Sequence, residues 1–136
     1  MNTTATTEKT AVNPWTWQDQ MGFSQGVVVQ NHGRTLYSAG QGSVDADGRP
    51  VHVGDMVAQV GQCLDNVETV LAAAGLTASD VVRYDVFTTD IDAYFPASGQ
   101  VAQRFGTPSP AGGVLVEVAR LAYPEMLVEI RVTAVG

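Results

Sequence analysis

A single lysine, a single cysteine and two histidines are what this 136-residue chain holds of the residues that most chemistry depends on. The lysine is Lys9, joined by six scattered arginines against fourteen acids, for a net charge of −7. Binding to a polyanion is driven by counterion release at Lys and Arg contacts, so a nucleic-acid partner is not expected. One cysteine, Cys63, excludes an internal disulfide and fits a reducing compartment. His32 and His52 stand in neither a metal-ligand nor a triad spacing, and both read as surface residues. There is no P-loop, no CxxC and no paired-carboxylate motif. Asp45 and Asp47 lack the glycine and bidentate glutamate of a calcium loop. No metal or cofactor is implied. The opening MNTTATTEKTAV has no apolar leader-like stretch, and no run approaches membrane-spanning length, so no membrane partner and a cytoplasmic location are the default.

What is present is an ordinary globular composition, 45% hydrophobic, of a length that reads as one domain over residues 1–136 with a real core. Residues 1–13 are Thr-rich and polar and read as flexible. Trp15 and Trp17 mark a segment that packs on the body of the domain or on a neighbour. Residues 26–30 (GVVVQ) and 35–39 (TLYSA), joined by Asn31-His32-Gly33-Arg34, read as a hairpin. Gly40-Gln41-Gly42 behind them reads first as a bulge and second as a close backbone approach to a ligand. From Asp55 to Ala74, Met56, Val60, Leu64, Val67, Leu71 and Ala74 recur at steps of three and four, predicting a helix capped by Asp55 and ended by Gly75. Cys63 lies beside that stripe and reads as a buried structural thiol.

Residues 80–89 (DVVRYDVFTT) predict a strand, and 92–105 a weaker helix with Asp92 as cap and Pro96 in its first turn. Gly106 to Gly113 reads as a loop, and 114–118 as a strand. The last strand alternates cleanly: Val128, Ile130, Val132 and Ala134 form a core face, while Leu127, Glu129, Arg131, Thr133 and Val135 form a mixed one. The expected fold is α+β, two helices covering one face of a single sheet. The other face has apolar members and predicts an oligomer. Glu129, a carboxylate in mid-strand, reads on the residues alone as solvated or ion-paired, with Arg131 on its own face as the ready partner, rather than as a catalyst.

Three segments together carry a resemblance: TLYSAGQ, QCLDNVETVLAAAGLTASDVVRYDVFTTDI and PAGGVLVEVARLAYPEMLVEIRVTAV. Along nearly its whole length after residue 20 the chain resembles the Rid (reactive intermediate deaminase, YjgF-type) family. The resemblance implies a chorismate-mutase-like fold with a mixed sheet, assembled as a homotrimer with small-molecule pockets between subunits. It also implies hydrolysis of reactive imines or enamines to a carbonyl compound and ammonia. Carried over by position, Glu129 matches the glutamate that activates water, Gly40 lies in the strand-end motif lining the pocket, and Phe23 matches an aromatic there. Leu115 falls where many members carry a small or thiol residue.

One departure matters more than these matches. Deaminating members carry, shortly after the Pro-Ala pair, an arginine that clamps the substrate carboxylate. Here Pro110-Ala111 is followed by Gly112-Gly113. Such a charge-assisted contact contributes about 1.5–3 kcal/mol, so its loss weakens binding of a 2-imino acid roughly tenfold to a hundredfold. The expected pocket is therefore wider and less cationic, its substrate is not a simple 2-imino acid, and the bare backbone of Gly112 and Gly113 helps to hold it. The alternative is a non-catalytic small-molecule-binding or regulatory trimer of the same fold. A ribonuclease activity, sometimes attached to this family, ranks last on charge grounds.

Overall fold

The computed structural model describes residues 6–106 and 109–136. The last strand is the axis of the main sheet. Strand β7 (Val128–Val135) lies between β5 (Val81–Thr88) on one side and β3 (Thr35–Tyr37) with β4 (Gln41–Gly42) in succession on the other. Those three pairings are antiparallel, and β6 (Ala111–Glu117) runs parallel to β5 on its far side, which makes the sheet mixed. The predicted core face of β7 is the observed one: Val128, Ile130, Val132 and Ala134 are buried beneath helix α1 (Met56–Ala73). Met56, Val60, Leu64, Val67 and Leu71 supply its inward stripe, each fully buried Val or Leu contributing roughly 1.5–3 kcal/mol. Asp55 caps α1 by accepting the Ala58 N–H (3.0 Å), and Gly75, at φ 75°, follows its end. Cys63 is buried against the sheet.

Four expectations are corrected. The segment from 26 to 39 is not a hairpin: β2 (Gly26–Gln30) pairs with β1 (Glu8–Val12) in a separate two-stranded sheet, while β3 pairs with β7. A two-residue type I′ hairpin turn needs two consecutive left-handed residues and a type II′ turn a glycine at its first central position; here only Asn31 is left-handed (φ 60°), with His32 separating it from Gly33. The same pairing makes residues 8–12 a strand, within a segment expected to be flexible. The second helix is broken: α2 (Ile91–Tyr94), capped by Asp90 rather than Asp92, passes through a 3-10 turn holding Pro96 into α3 (Gly99–Phe105). Proline lacks the N–H that a continuous helix would use there. Finally, Gly112 and Gly113 lie inside β6 and not in a loop; Thr107 and Pro108 of that expected loop lie outside the described residues.

Candidate functional site

The face of β7 turned away from the helices carries the charges. Cross-strand pairing puts Arg131 opposite Asp85 and Glu129 opposite Phe87. Arg131 takes the partner across the strand and not the one two residues before it: its Nε donates to Asp85 Oδ2 at 2.8 Å, and its guanidinium lies 5.2 Å from the centre of the Phe87 ring. Arg83 approaches Asp85 Oδ1 at 3.4 Å, and the Val114 N–H donates to the same oxygen at 2.9 Å. Burial alone would raise the Asp85 pKa. The hydrogen bonds from Arg131 and Val114, with the charges of Arg83 and Arg131, outweigh it and hold the carboxyl below its ordinary value. The expected Glu129–Arg131 pair is thus replaced by an Asp85 hub, which sequence reasoning missed. The available signal was an acid amid the apolar residues of β5, two positions after an arginine.

The hub also explains Gly113. The pairing of β5 with β6 shifts register between Tyr84 and Val86, where two β6 residues face Asp85 alone. A side chain on Gly113 would run into Asp85 Oδ1, and its Cβ would stand 2.8 Å from both Arg83 Nε and the Tyr84 carbonyl oxygen. The space beside Gly113 therefore does hold a guanidinium, Arg83's, tied to Asp85. On this side the surroundings are more cationic than the sequence suggested.

Glu129 is half-buried, and no described residue hydrogen-bonds to its carboxylate. It lies against Gly40: a Cβ there would collide with Oε1 and come within 2.6 Å of Cδ and 2.8 Å of Cγ. Gly40 falls in the gap between β3 and β4, where Ser38 keeps contact with Val132 through its backbone N–H and its Oγ. Glycine here leaves the room that the Glu129 carboxylate occupies.

Phe23, Gly112, Gly113 and Leu115 meet elsewhere, around a cavity of about 530 Å³ on the helix side of the sheet. Trp17 packs edge-to-face on Phe23 at 6.1 Å between ring centres, and Tyr84 and Tyr94 form part of the inner wall. A side chain on Gly112 would press on the Phe23 ring at 2.8 Å. Burial, followed by the neighbouring Tyr84 and Cys63, raises the Tyr94 phenol and keeps it protonated. Neither Glu129 nor Gly40 lines this cavity. Since strand side chains alternate, the site residues read from the sequence fall into two groups on opposite faces of one sheet, Glu129 with Gly40 on one and Phe23, Gly112 and Leu115 on the other, while Gly113 borders the cavity with its backbone and faces Asp85 with its α-carbon. Among the described residues no three His, Cys, Asp or Glu side chains are grouped to hold a metal ion. No described helix is long and apolar enough to cross a membrane.

Fold and sites define a small α+β chain with a mixed sheet, helices on one face, a carboxylate held against a glycine on the other, and an aromatic cavity. The chain belongs to the Endoribonuclease L-PSP family, whose profile matches residues 18–136, and its relatives carry the Rid, YjgF and RutC names. It is 36% identical over 110 residues to a RutC family protein of Sulfurisphaera tokodaii, covering 81% of this chain and 84% of that one. Protein DfrA of Myxococcus xanthus is 35% identical over 99 residues, 73% of this chain and 74% of its own. Among solved structures, the Rid-family protein YyfB of Yersinia pestis, described as of unknown function, superposes with a TM-score of 0.81 at 34% identity, covering 93% of this chain and 98% of that one. The YjgF product of E. coli superposes at 0.64 with 32% identity, covering 83% and 87%. The family resemblance read from three segments therefore holds.

Proposed function

We propose that the chain forms a homotrimer with pockets between subunits and hydrolyses a reactive imine or enamine to a carbonyl compound and ammonia. The observation that carries this reading is Glu129, a half-buried carboxylate seated against Gly40 and without a hydrogen-bond partner among the described residues, Arg131 turning instead to Asp85. In this reading it serves as the general base. Glu129 takes a proton from water as the oxygen adds to the C=N carbon and the nitrogen gains a proton. The carbinolamine then collapses: its hydroxyl proton is lost, the C=O forms, and the nitrogen leaves as ammonia after taking a proton back from Glu129. One imine and one water yield one carbonyl compound and one ammonia.

The need for a second copy follows from the layout. Glu129 and the cavity of Phe23, Gly112, Gly113 and Leu115 lie on opposite faces of one sheet, so a site that uses both takes Glu129 from one subunit and the cavity from another. Val114, Leu115 and Val116 support this, since all three are exposed on the outer strand β6, as apolar residues at a subunit contact would be in a lone chain. Purified protein is assayed for ammonia release from a 2-iminopropionate-type substrate and from carboxylate-free imines, with the mass in solution measured alongside. Turnover by a trimer, lost on Glu129→Ala, is the expected result; equal rates for the variant remove the mechanism.

A second reading, a non-catalytic binding trimer, is favoured by the separation of Glu129 from the cavity within each chain. It predicts ligand-dependent melting shifts with no turnover. The family's printed name would suggest RNA cleavage, but a chain of net charge −7 with one lysine is poorly suited to bind a polyanion.

A further inference from the structure

We infer that the helix-side cavity selects an imine with an aromatic or bulky apolar substituent and a cationic, carboxylate-free head, that is, a protonated iminium derived from an amine. This deepens the proposed function, and rests on it for the step of turnover but not for binding. The cavity is large enough for a ring and a short chain, at about 530 Å³, within the usual range of small-molecule sites. Its walls offer four aromatic rings, Trp17, Phe23, Tyr84 and Tyr94, and the aliphatic Leu115. Among the described residues that line it, Asp19 is the one that carries a charge, and that charge is negative. Arg83 stands against Gly113 from the other face of the sheet, where it and Arg131 are engaged by Asp85, and Arg104 on α3 is engaged by Asp65 and Glu68.

Ring faces are negative in their quadrupole and attract an ammonium or iminium centre, and Asp19 adds to that attraction. The same acid repels a carboxylate, and no guanidinium or ammonium is among the described residues lining the cavity to meet it. The chemistry agrees with this. A protonated C=N carbon is more electrophilic than a neutral one, so a cavity that favours the iminium presents the form that water attacks most readily. Asp19 is an exposed residue on the 3-10 turn Trp17–Met21 that lines the cavity; its Oδ1 accepts from the buried Gln18 amide at 3.3 Å, a contact that the Asn carbonyl oxygen of Asp19→Asn can still accept.

Calorimetry with two unreactive probes of equal shape tests the binding claim. These are 2-phenylethylamine, an ammonium, and phenylacetate, the matching anion. The ammonium is expected to bind about tenfold more tightly or better. Asp19→Asn should erase most of that preference, and Leu115→Trp, which fills the cavity, should weaken the ammonium itself while the mass in solution stays that of the parent protein. Tighter binding of phenylacetate, or a preference for the ammonium that survives Asp19→Asn, overturns the inference. So does ammonium binding indifferent to Leu115→Trp, which would place the ligand elsewhere. Turnover separates the two proposals. If the ammonium binds as expected and no imine is hydrolysed, the Glu129 mechanism fails and the cavity assignment stands. If imines are hydrolysed with no preference for cationic, carboxylate-free ones, the cavity assignment fails and the mechanism stands.

Discussion

Gly113→Ala tests whether Asp85, Gly113 and the irregular start of β6 are one unit. Gly113 does not have a left-handed backbone, so the substitution carries no conformational penalty, and through the unfolded chain it would stabilise by about 0.4–1 kcal/mol. Against this stands the added methyl, which meets Asp85 Oδ1 and comes within 2.8 Å of the Tyr84 carbonyl oxygen. Overpacking of that kind costs about 1–3 kcal/mol, and displacing Oδ1 from the Val114 N–H adds about 1.5–3 kcal/mol for a hydrogen bond to a charged group. The net expectation is a loss of about 2–4 kcal/mol, a fall in Tm of roughly 6–15 °C for a chain of this size. Gly112→Ala is the control. Its methyl meets only the partly buried Phe23 side chain, with no carboxylate or backbone carbonyl in its way, and the expected loss is about 1 kcal/mol, below that of Gly113→Ala. In the Asp85→Ala background, Gly113→Ala should cost about 1–2 kcal/mol less than in the parent chain. Urea denaturation followed by circular dichroism, at one fixed protein concentration so that any association is held constant, measures the parent, the three single variants and the double variant. Additive losses, or a Gly113→Ala variant no less stable than Gly112→Ala, would refute the unit. The same geometry predicts that placing an arginine at 113 is no simple restoration, because Asp85 and Arg83 already occupy its path.

Three further outcomes are expected. The folded Asp85 carboxyl titrates below its ordinary value of 3.8, so its stabilising contribution is whole above that pH and is lost as the pH falls through it towards the folded value. Acid titrations of stability should therefore show a steeper loss below about pH 4 in the parent than in Asp85→Asn. Burial, with the charge of Glu129 behind it and despite a backbone hydrogen bond, pushes the Cys63 thiol up to about 12. A disulfide reagent at pH 8 should leave the native protein unlabelled and react at once in denaturant, and fast native labelling would contradict the burial. Gly40→Ala should change stability by less than about 1 kcal/mol, since the side chain it displaces can move, yet reduce hydrolysis about as severely as Glu129→Ala. Full activity in that variant would show that the carboxylate need not lie where it does.

The strength of periodic signals decided what could be read in advance. Strand β7 and helix α1 were legible because each buries a face whose period, two or three to four, is written in consecutive residues. The false hairpin shows the limit: residues 26–30 and 35–37 are both strands, but which strand each pairs with depends on β1 and β7, far away in the chain. The break in the second helix was foreshadowed by Pro96 and Gly99, two weak signals that together outweighed the surrounding helix formers.

The partner of Arg131 was illegible for a related reason, and it decides the candidate site. Along β7, Glu129 lies on the same face two residues away, a separation of roughly 6.8 Å at ordinary strand rise. Across the sheet, a directly opposed residue stands about 4.5–5.5 Å away. A cross-strand acid therefore wins whenever the register supplies one, and the register between β5 and β7 supplies Asp85. Nothing in either strand alone states that register. Its consequence reaches the proposed chemistry directly: had Thr133 or Glu129 been set opposite Asp85, Arg131 would have been left with Glu129 as its nearest acid. A paired carboxylate is a poor base, because the guanidinium holds the proton affinity down. Asp85 thus takes the cation that would otherwise stand nearest Glu129, the carboxylate on which the proposed hydrolysis rests. It does so at the place where the bulge of β6 and Gly113 make room for its other oxygen.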